Sequence, residues 1–504
     1  MWPGLCSVIR LVEVDQALDL LNKRNSWEGG DLAGRVAGII DEVKAGGDAA
    51  LCRFSMQLDG CPLTLDRIRV SGDEVEQARS RVDRDFLRAI RAARDNIRVY
   101  HERQLAGSWF ESRREGTILG QLVRPLKRVG IYVPGGKASY PSSVLMNAVP
   151  AKVAGVEEIA MVTPPGKGGE IDIHTLAAAA EAGVTEIYRV GGAQAVAALA
   201  YGTEKIRPVD KITGPGNRYV TMAKRQVFGA VDIDMLAGPS EILVVADSSA
   251  SPAYIAADLL SQAEHDEMAA VMLLTPDRTL AQQVSAELER QLKLLDRREI
   301  AARAIEGYGA IIITDSVEEA VELANRMAPE HLELMVKDPF SWLGRVRAAG
   351  AVFLGPYSPE PVGDYMAGPN HVLPTGGTAR FFSPLGVDQF IRRTSVVYYS
   401  REALEREARD IIKLAAVEGL DAHARSVEIR MGRGAYDAGK PGFDKGDEVS
   451  LGRFDIIQEG RSGIGEEQKL ISIDPELPAM PGISDCRQAG GPEKLPGFDR
   501  NGRK

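Results

Sequence analysis

Histidine is scarce in this chain, six in 504 residues, and four of the six (His265, His331, His371 and His423) stand among carboxylates, amides, glycine and proline in the C-terminal half. His265 follows Gln262 by three residues at the end of a helical stretch, Asp258–Glu264, so the two side chains share a face and could reach one metal ion. A glutamine oxygen is an uncommon zinc ligand, and a plain polar helix end is the commoner reading of such a pair. Asp364 lies in Pro361-Val362-Gly363-Asp364-Tyr365-Met366-Ala367-Gly368-Pro369-Asn370-His371, just past a strand and full of turn residues, where α/β proteins place binding loops. It is either an oxygen ligand or a turn former bonded to its own backbone. Ala328-Pro329-Glu330-His331-Leu332 couples a carboxylate to an imidazole directly before a strand. Imidazole can accept an alcohol proton near neutrality, and a carboxylate can activate water for a hydration step. Taken alone, that dipeptide reads as a solvated helix end.

No complete G-x-G-x-x-G follows a strand. Glycine-rich turns do occur at Val133-Pro134-Gly135-Gly136, Val190-Gly191-Gly192-Ala193-Gln194 and Thr213-Gly214-Pro215-Gly216-Asn217. The last two lead into helices, whose first N–H groups could meet a phosphate, although any parallel sheet needs tight turns of this kind.

The elements that must position these residues follow from the apolar pattern. Between Val129 and Met235 short apolar runs alternate with helical segments, the βαβ rhythm of a parallel sheet. Ala154-Gly155-Val156-Glu157-Glu158-Ile159 recurs as Ala182-Gly183-Val184-Thr185-Glu186-Ile187, each with a helix-ending glycine feeding a strand. A second series has strands near Glu241–Ala246, Ala270–Leu274, Ala310–Thr314, Leu332–Val336 and Ala351–Leu354, with helices such as Ser251–Glu264 and Val317–Arg326 between them. The expected fold is α/β, two Rossmann-like lobes with parallel sheets, plus small N- and C-terminal segments that dimerise and a disordered tail. The expected boundaries are an arm over 1–26, a lobe from 27–128 and 241–385 carrying the metal and catalytic residues, and an inserted lobe over 129–240. A small C-terminal domain over 386–433 and a tail over 434–504 follow. The tail is rich in glycine, proline and charge, and repeats Pro441-Gly442-Phe443-Asp444 as Pro496-Gly497-Phe498-Asp499.

Composition narrows the function classes. A net charge of -10 argues against a nucleic-acid or anionic-membrane partner. The four cysteines, Cys6, Cys52, Cys61 and Cys486, have no CxxC spacing, which fits a reducing compartment. The first residues lack a basic segment followed by a long apolar run, and no uncharged apolar run reaches membrane-spanning length, so a cytoplasmic location is expected.

Taken in order, these segments resemble the histidinol dehydrogenase family over approximately Leu18 to Arg430. The strongest stretch is Val231-Asp232-Ile233-Asp234-Met235-Leu236-Ala237-Gly238-Pro239-Ser240-Glu241, reinforced by SQAEHD around Gln262 and His265, APEHLEL around His331, GDYMAGPNHVLPT around Asp364 and EGLDAHARS around His423. The resemblance implies zinc held by Gln262, His265, Asp364 and His423, one ion per subunit, and an acid–base pair of Glu330 and His331. It implies substrate contacts at Ser240 and Glu418 beside the ligands and His331, and NAD contacts at Tyr132, Gln194 and Asn217. The implied reaction is a four-electron oxidation of L-histidinol through L-histidinal to L-histidine, the last two steps of histidine biosynthesis, with two NAD+ used in succession. The implied assembly is a homodimer with shared sites, His423 coming from the other subunit. No cysteine falls in any active-site segment, so a covalent thiohemiacetal route has no nucleophile. Two other readings are a relative acting on another small polar alcohol and a non-catalytic metal-binding or regulatory protein that keeps the fold.

Overall fold

The computed structural model describes residues 9–12, 31–135, 139–166 and 168–432. The tail over 434–504, most of the N-terminal arm and Gly136 of the first glycine turn lie outside them. The described residues divide into two compact units, one from residues up to 106 together with 123–393, the other from 107–122 together with 394–432.

The first unit holds both parallel sheets. In one, five strands lie in the order Glu186–Tyr188, Glu158–Val162, Arg128–Tyr132, Lys211–Thr213, Asp232–Ile233. In the other, six strands lie in the order Arg10–Leu11, Gly309–Ile313, Ala270–Thr275, Glu241–Ala246, His331–Met335, Ala351–Leu354. Leaving the short N-terminal strand aside, both follow the chain order 3-2-1-4-5. Each therefore has one switch point between its first and fourth strands, where successive crossovers leave in opposite directions. The internal repeat corresponds to two neighbouring strands of the five-stranded sheet, with Gly155 (φ 92°) and Gly183 (φ 73°) in the left-handed turn that ends each preceding helix.

Local sequence explains where the helices begin. Ser71 and Glu74 form a capping box ahead of Gly72–Arg81, Asp83 caps Arg84–Glu102, Ser316 caps Val317–Met327, and Pro252 opens Pro252–Ala263. What they pack against departs from the expected boundaries. The helices Leu32–Phe54, Gly72–Arg81 and Arg84–Glu102 share cores with the five-stranded sheet, not with the sheet that carries His331. Ile90, Ala93 and Ile97 meet the helix Pro141–Val153 and its neighbours on one face, and Val36, Ile40, Val43 and Leu51 meet Gly192–Tyr201 on the other. An amphipathic stripe states that a helix is covered on one side and leaves its partner unstated. The six-stranded sheet is sandwiched by Pro252–Ala263, Arg278–Leu292 and Arg298–Tyr308 on one face and Val317–Met327 on the other.

The second unit takes most of a three-stranded sheet in the order Ile391–Tyr399, Thr117–Pro125, Trp109–Glu111, and continues into the helices Arg401–Val417 and Asp421–Arg430. The hairpin over 109–125 thus joins the C-terminal piece, whereas the sequence had placed it in a lobe; a β-strand needs a sheet partner, and local pattern does not name one.

Candidate active site and metal centre

The candidate residues gather at the N-terminal edge of the six-stranded sheet, around the first residue of the strand His331–Met335. The helix Pro252–Ala263 leaves the strand Glu241–Ala246 at the opposite edge and returns, bringing Gln262 and then His265 to this one. Asp364 lies in a short helix, Glu360–Tyr365, instead of the open binding loop that its turn residues had suggested. Ala328, left-handed at φ 49°, ends the helix Val317–Met327 and turns the chain toward Pro329 and Glu330. Neither Glu330 nor His331 is a solvated helix end, since both are buried.

His331 Nδ1 lies 3.1 Å from the Glu241 carbonyl oxygen, which can only accept, so the proton belongs on Nδ1. Nε2 is then left as the basic atom, buried without a hydrogen-bond partner 3.7 Å from Glu360 Oε1. Burial, together with the neighbouring His265 and His371 and against the pull of the Glu241 carbonyl, holds the imidazole down at about 3. His331 is thereby kept neutral and able to accept a proton. Glu330 Oε2 accepts from the Glu241 N–H at 2.9 Å, which fixes the carboxylate beside the ring.

Among the described residues, His265, Glu360 and Asp364 form a group whose candidate ligand atoms all lie within 4.8 Å of one another. Glu360 is a residue that the sequence reading passed over. Set so that both ends of its amide are satisfied, Gln262 directs its two N–H donors to Glu360 Oε1 and Oε2 at 2.9 and 3.0 Å, its nitrogen also lying 3.1 Å from His331 Nδ1, which cannot accept while its own proton is donated to the Glu241 carbonyl, and turns its oxygen to His265 Nδ1 at 3.1 Å. The carboxylate thus aims the Gln262 oxygen at the group. An imidazole, two carboxylates and an amide oxygen make a donor set that suits zinc. His265 is exposed by surface area although protein surrounds much of its ring; it forms the open side of the group. Burial pushes Asp364 up to about 6, partly offset by His265. Burial, then repulsion from Asp364, Glu330, Glu333 and Asp258, pushes Glu360 well above the usual carboxylate range. Behind it, Glu333 Oε1 accepts the Glu360 N–H at 3.0 Å, and Glu333 is raised by burial and by Asp258, a turn before Gln262. Protonated Glu333 paired with ionised Asp258 satisfies that buried pair. The missed signal was Glu333 itself, a charge two residues from His331 in an otherwise apolar strand and therefore on the same face.

The three residues expected to hold a dinucleotide lie at the C-terminal edge of the five-stranded sheet. Tyr132 ends its first strand, and its hydroxyl, raised to about 12 by burial, accepts the Gly192 N–H at 3.0 Å. Gln194 is fully buried, with neither amide atom partnered. Asn217 caps the helix Arg218–Val227 by accepting from Tyr219 and Val220 N–H. The crevice needs Gly214 (φ 109°), since a Cβ there would meet the Tyr132 carbonyl oxygen at 2.1 Å. The linker over 234–240 carries the chain from this edge to Ser240, half-buried immediately before Glu241. Ser143, at the start of the helix after the first strand, lies 3.4 Å from His371 Nε2, and His371 lies 3.8 Å from Asp364. The two edges therefore adjoin. Glu418 and His423 belong to the second unit, Glu418 ending the helix Arg401–Val417 and His423 on Asp421–Arg430, both exposed.

Fold and site together define an α/β protein with a buried neutral imidazole beside a group of side chains that could hold a metal ion. The family described as histidinol dehydrogenase matches residues 22–431. A histidinol dehydrogenase of Heliobacterium mobile is 58% identical over 409 residues, covering 81% of this chain and 96% of that protein. One of Bacillus subtilis is 56% identical over 395 residues, covering 78% and 92%. The crystal structure of histidinol dehydrogenase from Elizabethkingia anophelis superposes with a TM-score of 0.81 at 37% identity, covering 85% of this chain and 99% of that one. The chain belongs to the histidinol dehydrogenase family and is an oxidoreductase of histidine biosynthesis. Among the described residues no helix is long and apolar enough to cross a membrane.

Proposed function

We propose that the chain oxidises L-histidinol through L-histidinal to L-histidine, with two NAD+ used in succession and one zinc ion per subunit. The observation that carries this reading is His331, whose Nδ1 is committed to the Glu241 carbonyl and whose Nε2 stands unpartnered at the His265–Glu360–Asp364 group. The orphaned amide of Gln194 supports a ligand in the adjoining crevice, because buried polar side chains are ordinarily hydrogen-bonded.

Gln262, His265 and Asp364 would hold the metal, with His423 of the partner subunit as the fourth ligand, while Glu360 keeps the Gln262 oxygen facing it. When bound, zinc anchors the substrate's imidazole and amine, and NAD+ accepts a hydride from the carbinol carbon. Ser240 and Glu418 orient the substrate's polar ends. In each oxidation His331 Nε2 takes the hydroxyl proton as the hydride leaves. Between the two, Glu330 takes a proton from the water that adds to the aldehyde while His331 Nε2 returns the proton it took to the carbonyl oxygen, giving the hydrate that is oxidised second. Tyr132, Gln194 and Asn217 hold the dinucleotide. The second unit leaves Val397, Leu414, Val417 and Ile429 largely exposed, an apolar surface that supports docking of this piece in a homodimer.

NADH formation by the purified, zinc-loaded protein with L-histidinol, against a panel of small amino alcohols, tests the reading. Two NADH per histidine are expected; turnover of another alcohol with none of L-histidinol would overturn it.

A further inference from the structure

The helices Leu32–Phe54 and Gly192–Tyr201 pack side by side in one core and run in opposite directions. Asp48 N–H donates to Glu204, just past the end of the second helix, at 2.7 Å, and Lys44 lies over the Tyr201 ring. From Asp48 to Asp59 the first helix and its π-helical continuation, Ser55–Asp59, advance roughly 16 Å, about the distance from Glu204 back to Gly192. Asp59 is thereby delivered to the start of the helix Gly192–Tyr201, at the C-terminal edge of the five-stranded sheet. Two further facts agree. The Asp59 charge acts on Tyr132, whose hydroxyl bonds Gly192. A Cβ on Gly169, in the loop after the second strand, would lie 3.4 Å from Cys61 Sγ.

Asp59 Oδ2 is enclosed and has no hydrogen-bond partner. At the same edge neither atom of the fully buried Gln194 amide is partnered, nor is Oγ1 of Thr213, which ends the fourth strand. A carboxylate, an amide and a hydroxyl left unsatisfied around one crevice point to a ligand carrying both donors and acceptors. A carboxylate repels phosphate, and the part of a dinucleotide that offers it donors is a ribose diol.

We propose that Asp59 binds the dinucleotide, its carboxylate accepting hydrogen bonds from the hydroxyls of an NAD+ ribose that lies over the start of the helix Gly192–Tyr201. This rests on the reading of that crevice as the NAD+ site. Burial holds the Asp59 carboxyl up at about 6, as expected of an acid desolvated with no donor to replace water.

Isothermal titration of NAD+ into the full-length, zinc-loaded protein tests the proposal. Asp59→Asn and Asp59→Ala should each weaken NAD+ binding at least tenfold, the scale of a lost hydrogen bond to a charged group, and Asp59→Glu should retain more affinity than Asp59→Asn. Zinc content and L-histidinol affinity should be unchanged and the thermal unfolding midpoint should not fall, since removing a desolvated, unpartnered carboxyl costs the fold nothing, whereas loss of a merely structural group would lower it. Gln194→Ala separates the two ideas. Weak NAD+ binding in Gln194→Ala with unaltered binding in the Asp59 variants overturns the role of Asp59 and leaves the crevice standing. Unaltered binding in all of them overturns both. Parallel loss of NAD+ affinity, L-histidinol affinity and thermal midpoint overturns the ligand role in favour of a structural one.

Discussion

Replacing His331 with Asn should make unfolding of this protein take up about one proton fewer at pH 5. The folded imidazole is held at about 3 against an ordinary 6.5. Because the folded value lies below the unfolded one, the unfolded chain binds more protons between them, and stability falls as pH drops from 6.5 toward 3. At pH 5 an unfolded histidine is about 97% protonated and the folded one about 1%, so its share of the uptake is about one proton per chain. At about 1.4 kcal/mol per pH unit, that share removes roughly 2 kcal/mol of stability between pH 6.5 and 5. His371, held by burial at about 4, adds a similar uptake, but it is present in both proteins and cancels. The assay is a pH-stat count of titrant when metal-free protein is unfolded in urea at pH 5, for the parent and His331→Asn. Counting protons does not require two-state unfolding, which a chain with several cores need not show. Equal uptake by the two proteins would mean that His331 is already protonated at pH 5 when folded, and would refute the argument that burial holds its imidazole below the ordinary range.

Glu330→Gln should slow the oxidation of L-histidinal more than that of L-histidinol, because only the second oxidation needs an activated water; half-reactions started from aldehyde and from alcohol compare them, and equal losses would remove that role. Glu360→Gln should weaken zinc binding at least tenfold in chelator competition, since an amide cannot accept both Gln262 N–H donors and the oxygen facing the metal loses its anchor. Chelation should abolish NADH formation while the circular dichroism spectrum is retained, because two large α/β cores hold the ligand-bearing elements; full turnover without metal would sink the zinc role. Mixing His331→Asn with His423→Ala subunits to full exchange should restore about a quarter of parental activity if the sites are shared, and none if each chain supplies its own His423.

The elements and the chemistry they carry were legible in the residues alone. Strand periodicity located all five main strands of the sheet that holds His331, to within a residue or two. The repeated helix-ending glycine marked two successive βα units, and helix spacing predicted that Gln262 and His265 meet, although the helix ends at Ala263 and it is the turn after it that brings His265 beside Gln262. These signals are local, set by backbone geometry and by which face of an element is apolar. Packing settled what each element meets. It moved the helices Leu32–Phe54 through Arg84–Glu102 to the five-stranded sheet and gave the hairpin over 109–125 to the C-terminal unit. It also made Glu360 part of the metal-ligand group and fixed the free nitrogen of His331 through a carbonyl ninety residues away in sequence. Those outcomes depend on burial and on contacts between distant segments. A carboxylate reads the same in sequence whether it meets water or is held, as Glu360 is, against the amide it must aim.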